Sequence, residues 1–316
     1  MNRLVSRGIV WLALGATAAG QQALSPANDQ PAHISVDVDL VVLLATVTDR
    51  HGQLVTDLTE NNFQVYEDGV LQQIRLFRHE DVPVAVGLVV DHSGSMQRKL
   101  AEVSAAARIF VHSSNPADQI FVVNFNEKVT FGLPSAIQFS HDATELESAI
   151  LTAPAGGKTA LYDAIAEALE QLKASTLDKK VLIVISDGGD NASTHTLNQV
   201  LNLADQSNAI IYTIGIYDED DPDRNPRVLS RLARTTGGQA FFPGKVSAVV
   251  DICTRIARDI RNQYTIGYVP TNPIRNGGYR AIRVVAHAPG RGRLFVRTRT
   301  GYIAQPTKLD KNESTE

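Results

Sequence analysis

The sequence is poor in cysteine, methionine and tryptophan. Cys253 is its only cysteine, so neither an internal disulfide nor a cluster of thiolate metal ligands can form. Cys253 lies in an apolar helical pattern, which favours a small buried side chain over a reactive thiol. Beyond the N-terminus no run of apolar residues approaches the roughly 20 that a membrane span requires. The fold must therefore rest on its hydrophobic core without covalent cross-links.

Charged residues of either sign are also few. The net charge is −4 at pH 7. A mildly acidic chain is a poor general ligand for nucleic acid or anionic lipid, so we expect no nucleic-acid partner. The 316 residues, 43% of them hydrophobic, are enough for one medium domain and a smaller one. Proteins, small molecules and cations remain as the expected partners.

The first twenty residues have the layout of a secretory signal peptide. Arg3 and Arg7 precede an apolar run over residues 8–19, and small residues follow it. The run is too short to span a bilayer; a buried or amphipathic helix is the alternative. We expect export to the periplasm or the medium, no transmembrane segment in the mature chain, and a flexible lead-in over residues 21–33.

The remaining sequence divides into three parts and a tail. Apolar and polar residues alternate in residues 34–80 and again in 263–303, which predicts short strands. Over residues 83–262 buried strands alternate with amphipathic helices. This predicts an α/β fold with a doubly wound, mostly parallel, Rossmann-like sheet. We expect the flanking segments to pack together as one smaller β module, and residues 304–316 to form a disordered tail.

Oxygen-bearing side chains follow the buried strands of the predicted sheet. Asp91, Ser93 and Ser95 follow the first strand, Asp187 follows a later one, and Thr159 lies between them just before a helix. Ligands of open α/β sheets bind at the carboxyl ends of the strands, so we expect these loops to meet at one edge. Two carboxylates and three hydroxyls favour Mg²⁺, or Mn²⁺ or Ca²⁺, over zinc or copper.

This ligand set predicts a binding site for an external carboxylate. Only two negative charges come from the protein, so a dication would stay electrophilic. Five side chains, some acting through water, would leave one of the six octahedral positions open. We therefore predict a metal-dependent protein-binding or adhesion module whose protein partner presents a carboxylate, and not an enzyme.

The stretches that carry these residues resemble the metal-ion-dependent adhesion site of von Willebrand factor A (VWFA) domains. They read VVDHSGSM, GGKTALYDAI and VISDGGDN, in that order and each in the expected strand, loop and helix context. The resemblance covers roughly residues 84–261. It implies that Ser93, Ser95 and Thr159 bind the metal directly, and that Asp91 and Asp187 bind it directly or through water. It also implies that the last helix, 246–261, can shift when a ligand binds.

The flanking segments resemble VWFA-related proteins of acidobacteria. The matching pieces are VTDRHGQLVTDLTENNFQVYEDGVLQQI before the domain and QYTIGYVP, GGYRAIRVVA and VRTRTGYIA after it. This resemblance supports export and the overall architecture more than any particular role.

Simpler interpretations exist for each candidate residue. Asp91 and Asp187 could cap helices, and the serines could be ordinary turn residues. The expected convergence of five oxygen ligands in three loops favours the metal. For His92 we expect an imidazole held toward solvent or backbone. Asp190 and Asn191 read as a polar loop.

Two other functions remain open. A metal-dependent hydrolase would need a general base, for which Asp190 and His92 are the nearby candidates, neither with an orienting partner visible in the sequence. A structural or assembly component would use the metal only for stability. The acidic run 218–223 reads as a solvated loop more readily than as a second calcium site.

Overall fold

The computed structural model describes residues 40–217 and 224–305. The predicted signal peptide, the lead-in and the acidic run 218–223 lie outside these residues, as does nearly all of the predicted tail. No helix in the described ranges is long and apolar enough to cross a bilayer.

A six-stranded sheet forms the centre of the molecule. Its strand order is β10-β9-β8-β5-β6-β7, and every pair is parallel except β6 with β7. The strands are β5 (Val84–Asp91), β6 (Gln119–Phe125), β7 (Val129–Phe131), β8 (Lys179–Ser186), β9 (Ile210–Gly215) and β10 (Ala240–Phe241). All eight residues of β5 are buried, as expected for a parallel strand covered on both faces.

Helices cover this sheet. They are α1 (Leu100–His112), α2 (Ala143–Ile150), α3 (Leu161–Gln171), α4 (Leu197–Ser207), α5 (Pro226–Thr236) and α6 (Val249–Arg261). Each buries an apolar stripe, such as Leu229 and Leu232 in α5. Local capping fixes several starts. The Asp142 carboxylate, for example, accepts the backbone N–H groups of Thr144 and Glu145 at the start of α2.

The segments that flank this domain in sequence form two four-stranded antiparallel sheets. Their orders are β13-β1-β11-β4 and β14-β12-β2-β3. The strands are β1 (Val41–Thr48), β2 (Phe63–Glu67), β3 (Val70–Gln72), β4 (Ile74–Arg78), β11 (Tyr264–Tyr268), β12 (Tyr279–Ala286), β13 (Phe295–Arg297) and β14 (Gly301–Ile303). Both sheets mix N-terminal with C-terminal strands. The predicted fold class, including a smaller β module built from both segments, is confirmed.

The β module has its own hydrophobic core and one buried ion pair. Leu43, Val65 and Tyr264 lie at the centre of that core. The buried Glu67 carboxylate accepts a 2.8 Å hydrogen bond from the Arg280 guanidinium. It also accepts hydrogen bonds from the hydroxyls of Tyr268 and Tyr302. The cation and the two hydroxyls together compensate for burying its charge.

The β module is also bonded to the α/β domain. The Arg297 guanidinium of β13 lies 2.8 Å from the Asp259 carboxylate of α6, and Arg299 pairs with Asp205 of α4. Both arginines lie near the C-terminal end of the described residues, and their pairing joins this end of the chain to two helices of the domain.

Three short strands, β3, β7 and β14, are not predicted by the sequence patterns. Each has three residues, too few for a period of two to be read. Helix α1 begins at Leu100, after a 3-10 turn at Gly94–Met96 and three further turn residues.

Candidate metal centre

Three loops meet at the carboxyl ends of the central strands. Asp91 is the last residue of β5, and Asp187 directly follows the neighbouring strand β8. Ser93 and Ser95 lie in the loop after β5, and Thr159 lies just before α3. Strand order therefore brings the first and third loops side by side, as the sequence analysis predicted.

The first loop turns its oxygen atoms toward one another. The backbone N–H of Ser93 donates to Asp91 Oδ1 over 2.8 Å, and the Oγ atoms of Ser93 and Ser95 are 3.2 Å apart. Asp91 and Ser93 are buried, while Ser95 is exposed. The loop thus extends from a buried carboxylate to the surface.

Direct hydrogen bonds join the first loop to the third. Ser95 Oγ donates to Asp187 Oδ2 over 2.5 Å. Ser186 Oγ donates to Asp91 Oδ2 over 2.6 Å. Asp187 Oδ1 accepts the backbone N–H of Gly189. Both carboxylates are held in fixed orientations by donors of the loops themselves.

The second loop, residues 156–159, is bonded to both of the others. The Gly156 N–H donates to the His92 carbonyl over 2.7 Å. At its other end, the Thr159 N–H donates to Asn191 Oδ1 over 2.9 Å, and the Asn191 N–H returns a bond of 2.9 Å to the Thr159 carbonyl. Thr159 is therefore fixed between the loops that carry Asp91 and Asp187.

Gly157 allows an acidic side chain to approach this second loop. The Glu127 carboxylate, from the turn after β6, accepts the Lys158 N–H over 2.8 Å. A Cβ atom at Gly157 would lie 1.8 Å from a Glu127 oxygen, and the φ of Gly157 is +82°. The positive φ favours glycine at this position, and the Glu127 carboxylate takes up the space that a Cβ would occupy.

The electrostatics of the site favour the addition of a cation. Burial raises the pKa of Asp91 to about 6, with hydrogen bonds from Ser186 and Ser93 opposing the shift and the nearby Asp187 charge adding to it. Asp187 is also buried. Burial and the neighbouring Asp187 charge thus disfavour the ionised form of Asp91 unless positive charge is added.

The chemistry of the donor set fits a hard divalent cation. No group of three or more histidine, cysteine or acidic residues suited to a metal occurs in the described parts of the chain. A zinc-type site therefore has no support there. Two carboxylates with serine and threonine hydroxyls are instead the oxygen ligands that Mg²⁺, Mn²⁺ and Ca²⁺ prefer.

His92 is buried between the site and the core, so of the two expected placements, toward solvent or toward backbone, the first is wrong. Its Nε2 lies 3.1 Å from Asn124 Oδ1, and the Asn124 amide donates to the Ala149 carbonyl. Burial lowers the pKa of His92. The contact with Asn124 ties the first loop to β6.

Asp190 and Asn191 have structural contacts. Asp190 Oδ1 accepts from the Ser193 hydroxyl over 2.6 Å and from the Tyr162 N–H over 3.2 Å. Asn191 holds Thr159, as described above. The prediction of a polar loop describes Asp190 adequately, but it misses the role of Asn191 in holding Thr159.

Three features of the site do not follow from the sequence patterns used above. They are Ser186, which bonds Asp91; Glu127, which contacts the second loop; and the Asp163 carboxylate, which accepts the backbone N–H groups of Thr194 and His195. Ser186 has one detectable signal, since it is the only polar residue in the run VLIVIS.

Comparison with known proteins decides the family. A family model described as von Willebrand factor type A domain matches residues 86–254. The chain belongs to this family. The von Willebrand factor type A domain accounts for the six-stranded sheet and its helices, and no match was found among curated proteins.

One solved structure supports the von Willebrand factor type A fold. A von Willebrand factor type A protein from Catenulispora acidiphila is 16% identical, with a TM-score of 0.52 over 82% of this chain and 78% of that one. The vWF domain of the type V pili tip protein Mfa5 from Porphyromonas gingivalis is 17% identical, with a TM-score of 0.45 over 57% and 97%. At these identities the likeness concerns the fold.

Proposed function

We propose that this chain is an exported, metal-dependent protein-binding or adhesion module. Its metal ligands are Asp91, Ser93, Ser95, Thr159 and Asp187, the cation is Mg²⁺, Mn²⁺ or Ca²⁺, and the partner is a protein that presents a carboxylate. Von Willebrand factor type A domains are generally adhesion or assembly modules, which agrees with this class of function.

The observation that carries the proposal is the hydrogen bond between Ser95 and Asp187. It brings a hydroxyl and a carboxylate of two separate loops to 2.5 Å, and the Asn191 contacts fix Thr159 against the third loop. Ser95 is exposed while Asp91 and Asp187 are buried. The oxygen cluster is therefore anchored in the protein and open on one side.

The charge of the site supports capture of an anion. When bound, the cation would supply an electrophilic centre at this open side. Asp91 and Asp187 contribute two carboxylates, and the remaining proposed ligands are neutral hydroxyls. Part of the positive charge would stay available to a carboxylate of the partner, and the exposed Ser95 marks the side from which it would approach.

Hydrolysis has less support. A general base must reach the reacting water and be oriented for it. The Asp190 carboxylate accepts from Ser193 and Tyr162. The His92 ring is buried, with Nε2 on Asn124. Both candidate bases are thus engaged in structural contacts.

Calorimetry with a binding assay tests the proposal. Titration of the protein with Mg²⁺, Mn²⁺ and Ca²⁺ should detect one bound ion, and Thr159→Val should weaken uptake because it removes only a hydroxyl oxygen. Proteins captured from the cell envelope by the wild type should be lost with EDTA and with the Thr159→Val variant. Capture that survives both treatments would contradict the proposal. Metal uptake without metal-dependent capture would leave a stabilising ion as its role.

A further inference from the structure

The charges of this chain are strongly segregated along the sequence. Residues 224–305 contain fourteen arginines and one lysine but only two acids, Asp251 and Asp259. The whole chain nevertheless carries a net charge of −4. The overall charge therefore hides a basic region that comprises α5, α6 and the C-terminal strands.

Part of this basic region lines a groove of about 500 Å³ between α5, β10, β12 and β13. In the described part of the chain no acidic residue lines it. Its four arginines are Arg234, Arg283, Arg297 and Arg299. Gly238 and Gln239, which also line it, precede β10 at the end where the parallel strands begin. The groove lies at the opposite end of the sheet from Asp91 and Asp187.

The four arginines fall into two pairs. Arg297 and Arg299 form ion pairs with Asp259 and Asp205, respectively. Arg234 and Arg283 are exposed, and neither has a carboxylate partner among the described residues. The first pair shapes the groove, and the second pair supplies cationic charge that the described protein does not neutralise.

Uncharged polar groups complete the lining. Ser230 and Thr300 are exposed at the groove, and the Thr298 hydroxyl is buried with no hydrogen-bond partner in the described ranges. Guanidinium groups bind carboxylate and sulfate oxygens through parallel N–H donors. Hydroxyl side chains beside them suit the hydroxyl groups of a sugar.

We propose that this groove, the Arg234–Arg283 groove, binds a polysaccharide that carries carboxylate or sulfate groups. A concave groove suits a single chain better than a flat membrane surface. Stacking of bases on aromatic rings is a main source of affinity for single-stranded nucleic acid. Here the rings of Tyr66 and Phe295 are already covered by Arg283 and Arg293, at 4.5 and 5.0 Å.

Two double variants, each of which removes two positive charges, test the groove. The full chain would be titrated with dextran sulfate and polygalacturonate at about 0.15 M salt, with neutral dextran as the matched polymer. Arg234→Gln with Arg283→Gln should weaken binding at least about tenfold, because each substitution removes charged hydrogen bonds to the polymer. The control pair, Arg227→Gln with Arg258→Gln, removes two exposed arginines outside the groove and should have little effect.

Several outcomes would overturn the proposal. Equal weakening by both pairs would mean that net charge alone is responsible, and equal binding of neutral dextran would exclude charge recognition. Tighter binding of single-stranded DNA or of anionic phospholipid vesicles, lost in the groove variants, would assign the groove to those ligands instead. EDTA should not affect polysaccharide binding, and both double variants should keep metal uptake. A failure of the groove proposal can therefore be told apart from a failure of the metal-site proposal.

Discussion

Ser95 and Asp187 are 92 residues apart in the sequence and 2.5 Å apart in the structure. Their contact crosses from the loop after β5 to the loop after β8. Neither side chain alone indicates a metal, since serine and aspartate are common in turns. Their meeting beside Asp91 is what gives the site its chemistry, and it leads to the first prediction.

Asp91→Asn is expected to abolish metal uptake and to stabilise the metal-free protein at pH 8. The substitution removes a ligand charge and also removes a buried ionised carboxylate whose pKa is raised to about 6 by burial. Calorimetry with Mg²⁺ and thermal melts in EDTA measure the two effects. Asp190→Asn is the control, since that carboxylate bonds Ser193 and Tyr162 and should leave uptake intact. Uptake retained by Asp91→Asn, or lost to the same extent in the control, would contradict this ligand assignment.

The metal-free protein should become less stable as the pH rises from about 4 to about 6. The pKa of Asp91 is raised to about 6 in the folded state, against an ordinary value of 3.8 for an aspartate carboxyl, so the folded state binds the proton more tightly. Stability falls as pH rises through this interval and levels off above it, by about 3 kcal/mol for this group. Urea unfolding in EDTA across pH measures it, and Asp91→Asn should flatten the slope. An unchanged slope in the variant would assign the effect to other groups.

Arg280→Ala should destabilise the β module strongly. It leaves the Glu67 carboxylate, 3% exposed, buried without its cation, a change that typically costs about 3–5 kcal/mol. Chemical denaturation measures the loss. Arg291→Ala is the matched control, because the pair of Arg291 with Asp57 is exposed and should contribute less than about 1 kcal/mol. Equal losses in the two variants would show that burial of the pair is unimportant.

Cys253 should not react with Ellman's reagent at pH 8 until the protein unfolds. The side chain is buried, and burial raises the pKa of its thiol to about 12, so almost no thiolate is present. Ser247→Cys places a second thiol on an exposed position and should react at once. Rapid labelling of Cys253 in the native protein would mean that α6 opens readily.

The sheet and the loops of the site follow from short-range patterns. Continuous apolar runs such as that of β5 predict buried parallel strands, and their carboxyl ends predict where Asp91 and Asp187 meet. The groove is not predicted, because it depends on how β12 and β13 pack against α5 and β10. Its charge is nevertheless readable in the sequence over residues 224–305, and the net charge of −4 conceals it.

Contacts with one partner far away in sequence are the hardest to foresee. Asn124 supports His92 from the neighbouring strand, and its only sequence signal is a polar residue within the apolar run IFVVNF. Glu127 approaches Gly157 across a turn whose geometry no local pattern fixes. Such contacts depend on the register between elements, which the sequence periods leave open.

The α/β domain leaves and re-enters the β module through adjacent strands. Arg78 of β4 lies opposite Thr265 of β11, and the domain occupies the chain between them. Tension applied by a bound partner would therefore reach the module through two neighbouring attachment points at once. A pull at the metal edge would therefore be carried as load on the hydrogen-bonded ladder between β4 and β11.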